Sequence, residues 1–456
     1  MLRLLKFLPF VLLIFYWAYL VRATQPLVIY DAIGYQDAGR LLMEQGWGAY
    51  FKGLNREPLF PLMISIAMRL EHSVGIGYTY ILKTFLLVEL ALAMTGTYHL
   101  ARSLGARRLW AGMGAFYLGM SPAILNSTLW LWSEAAIYPF VVWGVIWMIR
   151  TWREMKRACR VDRLAGHAAL TATLFILAAM VKAPVATVFV ALLLPFYAAV
   201  VHGFWVKDGR GALRAVFVSA ICLLMMGAYV ENYKFLNWRG NGHYAITNRA
   251  DLALFGNTVR RLDPEALKRI PEAVLSVPRL VICERYYGRS CGYWGYATSD
   301  NINEQYAQKL AARGFSDIQR QEFFFSTAFR LMREHPFQEA FFSVIEGMKM
   351  FFWENRLFFV KYPDWLVRVY SHNVLVLTLC FSGAVLSLIA LCRAIFLAVR
   401  RRLMPQVFAV LFVGCFIGSY ALFFVDIRYG FPLAPVFIAM IAAIGVREHN
   451  EKGEWA

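Results

Sequence analysis

The stretch that decides how this chain is interpreted reads Tyr30-Asp31-Ala32-Ile33-Gly34-Tyr35-Gln36-Asp37-Ala38-Gly39. It follows an apolar segment that runs from Phe7 to about Val21, with Arg3 and Lys6 on the other side of that segment. Basic residues ahead of an apolar run indicate that its first end is cytoplasmic. Asp31 is therefore a carboxylate expected within a few residues of the opposite membrane surface.

Composition places the whole chain in a membrane. Of its 456 residues, 59% are hydrophobic and only 17% are charged, with a mean hydropathy of +0.50. A soluble chain of this length would carry far more charge. The formal net charge of +18 would suggest nucleic acid as a partner if the protein were soluble. Here many of the cations lie in short loops, so membrane lipids are the expected partner and nucleic acid is not.

Ten apolar segments are candidates to cross about 30 Å of hydrocarbon. They lie at roughly 7–22, 79–101, 108–123, 128–149, 166–182, 184–204, 213–231, 372–397, 405–425 and 431–446. Ten crossings put both termini on one side, and the short loops on that side are rich in Lys and Arg, as cytoplasmic loops are. The expected fold class is an all-α polytopic membrane protein with both termini in the cytoplasm.

Two stretches do not span, and they divide the chain. Residues 24–78 form an outer loop within an N-terminal transmembrane module, 1–231, and the short apolar run 58–68 fits a helix lying in the interface. Residues 232–370 are too long for a bare loop, so they are interpreted as a small, mostly helical extracytoplasmic domain. Residues 371–456 supply the C-terminal transmembrane helices.

The predicted outer domain has two local features. Residues 323–359 are apolar at helical spacing and are interrupted at His335-Pro336, which predicts amphipathic helices on either side of the break. Cys283 and Cys291 lie eight positions apart, and an oxidising compartment would let them form a disulfide. Two free thiols are the alternative.

Asp31 is the first candidate catalytic residue. A carboxylate at this place can act as a general base, taking the proton of an acceptor hydroxyl as that oxygen attacks a sugar carbon. The alternative is a solvated loop carboxylate that helps to end the first span. Asp37, six residues further on, would face elsewhere on a helix and is expected to be a surface residue.

Glu134 is the second candidate, about two turns into the fourth predicted span. An ionisable residue at membrane depth is costly unless it faces a cavity or a partner. The carboxylate is therefore expected either to line an active cavity beside Asp31 or to form a structural ion pair between helices.

Three cations lie at predicted outer membrane ends: Arg56, Lys182 and Arg428. A lone cation there would be interpreted as reaching lipid headgroups. Three together suit a phosphate or pyrophosphate leaving group, because cations stabilise the charge that develops on it. The sequence has no phosphate-binding Gly-rich loop, no Cys-x-x-Cys and no His-Glu-x-x-His, so no cofactor or metal site is predicted, and a divalent metal has no support.

The order of these features resembles the GT-C type of membrane glycosyltransferases, specifically the bacterial branch related to protein O-mannosyltransferases and to the aminoarabinose transferase of lipid A. The resemblance is spread over most of the chain. Its residues are, in order, Asp31…Tyr35…Ala38, Arg56-x-Pro58-x-x-Pro61, Ser121-Pro122, Ser133-Glu134, Asn232-Tyr233, Gly256-Asn257, His335-Pro336 before an aromatic helix ending in Trp353, and Arg428-Tyr429-x-x-Pro432-x-x-Pro435.

This resemblance implies a polyprenyl-phosphate sugar as donor and an inverting transfer to an extracytoplasmic acceptor, which could be a glycolipid, a cell-envelope glycan or a protein. It implies a bacterial inner-membrane location with the active site facing the periplasm or cell exterior, and it gives Asp31 the catalytic role. Many relatives have Asp-Glu at this point, whereas here Ala32 follows, so Glu57 or Glu134 would have to supply a second acid.

The remaining residues of the predicted site follow from these assignments. Arg56, Lys182, Arg428 and Tyr429 are predicted to bind the donor phosphate, and Tyr35 and Glu57 are predicted to line the substrate cavity. A flippase or transporter of a lipid-linked saccharide is the alternative function, although transporters usually show matched halves with broken helices, which this chain lacks. A non-catalytic membrane scaffold is a third interpretation.

Overall fold

The protein is described by a computed structural model over residues 8–24, 28, 31–53, 56–157, 160–247, 250–278, 280–354, 361–365, 373–401, 403–423 and 425–445. Every regular element within these ranges is a helix.

The first part of the chain builds the bundle that carries most of the site. Its helices are α1 (Leu8–Ala23), α2 (Asp31–Lys52), α3 (Leu59–Val74), α4 (Tyr78–Ser103), α5 (Arg108–Met120), α6 (Pro122–Leu129), α7 (Ser133–Lys156), α8 (Val161–Ala179), α9 (Pro184–Leu192), α10 (Leu194–Trp205) and α11 (Gly209–Asn241).

The middle of the chain is a set of shorter helices. They are α12 (Ala250–Leu262), α13 (Pro264–Lys268), α14 (Ile270–Ser276), α15 (Leu280–Tyr287), α16 (Tyr296–Ala312), α17 (Asp317–Glu334) and α18 (Pro336–Gly347), with 3₁₀ turns at Gly288–Trp294 and Met348–Phe352. Helix α17 ends and α18 begins at His335-Pro336, as the sequence predicts, because proline is tolerated in a first helical turn but not inside a helix.

The last part of the chain returns to the bundle. It consists of α19 (Asn373–Arg401), α20 (Met404–Ala421), a 3₁₀ segment at Ile427–Leu433 and α21 (Ala434–Ala442). Helices α20 and α21 pack into one continuous apolar core with α4 to α9.

The all-α membrane fold class is confirmed in the described residues. Seven helices are long and apolar enough to cross a membrane: α4, α7, α8, Pro184–Trp205, α11, Thr378–Arg401 and α20. Two shorter apolar helices, Leu8–Ala23 and Arg428–Ala442, coincide with the first and last predicted spans. The count of ten spans stays a prediction, and the predicted span at 108–123 contains only the 13-residue α5.

The structure corrects the expected course of residues 121–133. The predicted spans at 108–123 and 128–149 leave only residues 124–127 to connect them, but these residues lie in α6, which is buried along its whole length. Ser121 caps α6 by accepting a hydrogen bond from the Ile124 amide, and Pro122 occupies the first turn. Leu131 then takes a left-handed φ of 60°, which ends the helical path. Helix α7 therefore begins at Ser133, and Glu134 lies in its first turn rather than two turns in.

Both regions that were expected not to span are helical. Residues 59–68 belong to α3, whose inner face is buried while Ile66, Leu70 and Val74 are exposed, which is the pattern of an interfacial helix. Helix α11 continues to Asn241, so the predicted outer region, residues 232–370, begins inside this helix, without a break at its predicted boundary.

Cys283 and Cys291 are bonded to each other, with Cα atoms 5.8 Å apart. Both are fully buried, between α15 and the 3₁₀ turn at Gly288–Trp294. The disulfide closes a small loop whose aromatic side chains Tyr286 and Tyr287 are exposed.

Candidate active site

Asp31 is the first residue of α2 and points toward two arginines from distant parts of the chain. Nη2 of Arg428 donates a hydrogen bond of 2.7 Å to Oδ2 of Asp31. Nη2 of Arg56 lies 4.0 Å from the other carboxylate oxygen, Oδ1. The Asp31 side chain is 35% exposed, so it is reachable from outside the protein, whereas the Arg56 side chain is only 6% exposed. The arrangement is a partly open carboxylate held by two cations.

The charge state of Asp31 follows from these contacts. Burial raises the pKa of its carboxyl, but the charge and hydrogen bond of Arg428, together with the charges of Lys182 and Arg56, outweigh burial and hold the pKa below its usual value. Asp31 is therefore ionised at neutral pH, as a residue that accepts a proton must be at the start of a reaction.

Arg56 is held rigidly by its surroundings. Its backbone carbonyl accepts hydrogen bonds from the hydroxyls of Tyr50, at 2.6 Å, and Tyr233, at 2.7 Å. Its guanidinium lies 4.2 Å from the centre of the Tyr35 ring and passes so close to Gly34 that a Cβ there would clash with it. Tyr35 in turn accepts a hydrogen bond of 3.1 Å from Ser133 at the start of α7. Arg56 therefore has one defined position beside Asp31.

Arg428 lies at the start of the segment that leads into α21. Its backbone amide donates to the Asp426 carboxylate at 3.3 Å, and its Nε lies 3.6 Å from the other oxygen of that carboxylate. The guanidinium lies 5.6 Å from the ring centre of Trp132 and 5.4 Å from that of Tyr429. Asp426 and the rings of Trp132 and Tyr429 therefore orient the Arg428 guanidinium toward Asp31.

Lys182 and Glu134 form a buried ion pair behind the arginines. Lys182 Nζ lies 3.1 Å from Glu134 Oε1, and both side chains are almost inaccessible to solvent. Glu134 is in the first turn of α7, where the helix dipole favours a negative charge. Lys182 lies in the turn between α8 and α9 and sits 5.9 Å from the centre of the Tyr429 ring. The structure thus realises the ion pair that the sequence left open for Glu134.

Glu57 organises the same turn, and its predicted role in lining the substrate cavity stays a prediction. Its Oε1 accepts a hydrogen bond of 3.2 Å from the Ala183 amide, next to Lys182. The Leu59 amide donates to the Met180 carbonyl at 3.0 Å, so the chain around Arg56 and the turn around Lys182 are joined by two hydrogen bonds. These contacts hold two of the three predicted phosphate-binding cations at a fixed spacing.

An apolar groove of about 640 Å³ begins next to this cluster. It is lined by Trp47, Gly48, Phe51, Pro58, Met180, Ala228, Tyr229, Asn232, Tyr233 and Leu236. Pro58 follows Arg56 by two residues, Met180 precedes Lys182 by two, and the hydroxyl of Tyr233 donates to the Arg56 carbonyl, so the groove adjoins the segments that carry Arg56 and Lys182. Its walls come from the end of α2, from α11 and from the α8–α9 turn.

The structure brings the predicted site residues Asp31, Arg56, Lys182, Arg428 and Tyr429 into one cluster, although Asp31 and Arg428 alone are 397 positions apart in sequence. Asp37 is exposed on α2, as expected. Cys283 and Cys291 lie in the outer region, apart from this cluster.

Sequence reasoning missed several contributors. Trp132, Ser133 and Asp426 contact the cluster, and each is adjacent or nearly adjacent to a predicted residue. Their proximity in sequence to predicted site residues was the signal that could have identified them. Within the described ranges, no group of three or more His, Cys, Asp or Glu side chains is arranged as a metal site requires.

Neither a protein-family model nor a curated protein matches this sequence. Among solved structures, the chain is similar to the oligosaccharyltransferase AglB from Archaeoglobus fulgidus, solved with an inhibitory peptide and a dolichol-phosphate, with 12% identity and a TM-score of 0.49 over 96% of this chain and 50% of that one. It is also similar to ArnT from Cupriavidus metallidurans bound to undecaprenyl phosphate, with 14% identity and a TM-score of 0.34 over 95% of this chain and 77% of that one. The chain thus spans about half the length of the archaeal enzyme.

Proposed function

We propose that this chain is an inverting glycosyltransferase that moves a sugar from a polyprenyl-phosphate donor to a hydroxyl of an extracytoplasmic acceptor. The observation that carries the proposal is the Asp31 carboxylate, ionised, partly exposed and bound at 2.7 Å by Arg428 with Arg56 beside it. One carboxylate and adjacent cations are the groups that such a transfer needs.

The reaction can be written with these residues in defined roles. The acceptor oxygen attacks the anomeric carbon while its proton passes to an Asp31 oxygen. The bond between the anomeric carbon and the donor phosphate oxygen breaks, and its electron pair leaves on the phosphate. Arg428 and Arg56 stabilise the charge that the lipid phosphate gains, and attack opposite the leaving group inverts the anomeric centre.

Donor binding and base strength are coupled in this arrangement. A phosphate at Arg428 competes with Asp31 for the same guanidinium fork. As that hydrogen bond is given up, the pKa of Asp31 rises again, because burial, the largest influence on it, remains. Asp31 therefore becomes a stronger base when the donor is bound, which is when it has to take the proton of the acceptor.

The apolar groove suits the isoprenoid part of the donor. It starts two residues from Arg56, so a lipid whose phosphate meets the arginines can lay its first isoprene units along Trp47, Phe51 and Leu236. Lys182, which is paired with Glu134, acts electrostatically on Asp31, and its charge would also act on a phosphate bound beside Asp31. Glu134 serves in this scheme to hold Lys182.

A single assay tests the proposal. Purified full-length protein in detergent is incubated with undecaprenyl-phosphate sugars that carry a radiolabelled hexose or pentose, together with candidate acceptors extracted from the cell envelope. Release of undecaprenyl phosphate with transfer of label to an acceptor is the expected result. Movement of intact lipid-linked sugar across the membrane of reconstituted vesicles without cleavage would favour the transporter interpretation. If the protein shows neither activity, the scaffold interpretation remains.

The proposed location is a bacterial inner membrane, with Asp31 on the periplasmic or exterior side. Loop charges support the orientation, because the short outer turns carry only the cations Lys182 and Arg428, whereas the short loops on the opposite side are rich in Lys and Arg. The acceptor is therefore taken to be a glycolipid, a cell-envelope glycan or a protein outside the cytoplasm.

A further inference from the structure

Residues 421–430 connect α20 to the segment that carries Arg428. The start of this connection is hydrogen-bonded to α12 of the outer region. Arg261 of α12 donates from Nη2 to the carbonyl of Ala421 at 2.7 Å and to that of Phe423 at 3.2 Å. Asn257, one turn earlier on α12, donates to the same Phe423 carbonyl at 2.6 Å. The last carbonyls of a helix have no partner within it, so these donors supply the bonds that α20 lacks.

Those donors are themselves locked in place. Glu346 of α18 is buried and accepts hydrogen bonds from Arg261 Nε at 3.0 Å, from Asn257 at 3.1 Å and from Arg260. Arg260 and Arg261 are both fully buried. Burial raises the pKa of Glu346, but the two arginines and Lys349 outweigh it and hold the pKa far below its usual value, so the carboxylate stays charged at any physiological pH. Several hydrogen bonds to one buried carboxylate hold Arg260, Arg261 and Asn257 in place together.

The connection is also held at its other end. A Cβ added to Gly430 would lie 3.0 Å from the Met350 Cα and carbonyl carbon and would clash with the Met350 oxygen. The backbone of the 3₁₀ turn that follows α18 therefore packs directly on the backbone two residues after Arg428. Only glycine permits that approach. Lys349 in this turn is 3.6 Å from Glu346, which ties the turn to the same network.

We propose that α12, α18 and the turn at Met350 clamp this connection at residues 421–423 and at Gly430, and thereby set the position of the Arg428 guanidinium against Asp31. Asn257, Arg261 and Gly430 are then positioning residues, which act on the donor phosphate only through Arg428. The proposal rests on the proposed function for what Arg428 binds, but the clamp itself is a statement about geometry. It assigns the outer region a part in building the donor site.

The test uses the full chain in detergent with Gly430→Ala and Asn257→Ala. Gly414→Ala and Gly418→Ala on α20 are the matched controls, because a Cβ at either position meets open space. Two quantities are measured: equilibrium binding of tritiated undecaprenyl phosphate, and hydrogen exchange of peptides covering 425–433. A displacement of about an ångström at a charged site costs up to roughly 100-fold, so binding should weaken by about 10- to 100-fold in both variants, with faster exchange. Both controls should match the wild type.

A double variant distinguishes positioning of Arg428 from a general effect of Gly430 on the structure. In an Arg428→Ala background, Gly430→Ala should weaken binding by less than about twofold further, because a residue that acts through Arg428 has nothing left to position. Full additivity would overturn the proposal, as would wild-type binding in both single variants. If the wild type binds no undecaprenyl phosphate, the proposed function fails, and hydrogen exchange alone decides the clamp: unchanged exchange in both variants overturns it.

Discussion

At the scale of single residues, the account depends on how Asp31 and Arg428 control each other. The two side chains are joined at 2.7 Å, and Arg428 is the main cation that lowers the pKa of Asp31. In the proposed reaction Asp31 contacts the acceptor and Arg428 contacts the donor phosphate. Each side chain also sets the electrostatic environment of the other. Arg56, fixed by the hydroxyls of Tyr50 and Tyr233, keeps part of that field when Arg428 turns to a phosphate.

Changing Arg428 tests this coupling. Arg428→Ala should raise the KM for the lipid donor and lower kcat, and Arg428→Lys should recover only part of the loss, because a point charge replaces a fork of donors. In Arg428→Ala the pKa of Asp31 should rise, since burial is then less opposed. The acid limb of the pH profile of kcat/KM, which reports the free enzyme, should therefore move to higher pH than in the wild type. Unchanged donor kinetics together with an unmoved acid limb would remove Arg428 from the site.

At the level of secondary structure, the site is built from residues at the ends of helices. Asp31 begins α2, Glu134 lies in the first turn of α7, Lys182 lies between α8 and α9, and Arg428 precedes α21. Helix ends expose backbone groups and change the direction of the chain, so they can present charged side chains that a helix middle would bury.

The Glu134–Lys182 pair gives a prediction at this scale. Removing one partner leaves a buried charge uncompensated, so Glu134→Gln or Lys182→Met should each destabilise the protein by about 3–5 kcal/mol. The double variant should regain most of the thermal stability in detergent but not the activity, because Lys182 no longer contributes its charge. If Glu134→Gln were inactive yet as stable as the wild type, Glu134 would have to contact substrate directly.

The disulfide gives a second prediction at this scale. Cys283 and Cys291 close a short loop, which stabilises a folded outer region by roughly 2–3 kcal/mol. A peptide map of protein alkylated without reductant should show the two cysteine peptides linked. Recovery of both as alkylated thiols would contradict the pairing, and the exposed Cys392 serves as the positive control for alkylation.

Sequence patterns could predict the apolar helices and several charged site residues, because hydrophobic length and charge at loop ends are local signals. The break at Leu131 could not be predicted, because a left-handed leucine is imposed by the packing around it. The partners of Glu134 and Glu57 were equally hidden, since Lys182 and the Ala183 amide are brought to them only by the folded arrangement of helices. The groove is formed by three distant elements and has no sequence signature.

At the scale of the whole molecule, the proposed topology arranges charged and apolar regions across one membrane. The cations of the short loops are proposed to face the cytoplasm, and the site to lie at the opposite ends of the same helices. The predicted outer region begins within α11 and includes the turn at Met350, and it is proposed to lie on the same side of the membrane as Asp31.

This topology predicts which side of the membrane each region occupies. A cysteine at Lys309, which is exposed on α16, should react with a membrane-impermeant maleimide added to the outside of spheroplasts. A cysteine at the exposed Arg157 after α7 should react only after the cells are opened. Labelling of Lys309→Cys only from the cytoplasmic side would refute the orientation.

The central claim, that Asp31 takes the acceptor proton, is tested most directly by the turnover of Asp31→Asn beside Asp37→Asn. Asparagine keeps the size and the hydrogen bonding of Asp31 but cannot accept a proton at neutral pH. The account predicts a loss in kcat of at least about 10²-fold for Asp31→Asn, with folded protein retained, and a mild effect for Asp37→Asn, whose side chain is exposed on the same helix. Near-normal transfer by a well-folded Asp31→Asn protein would contradict it.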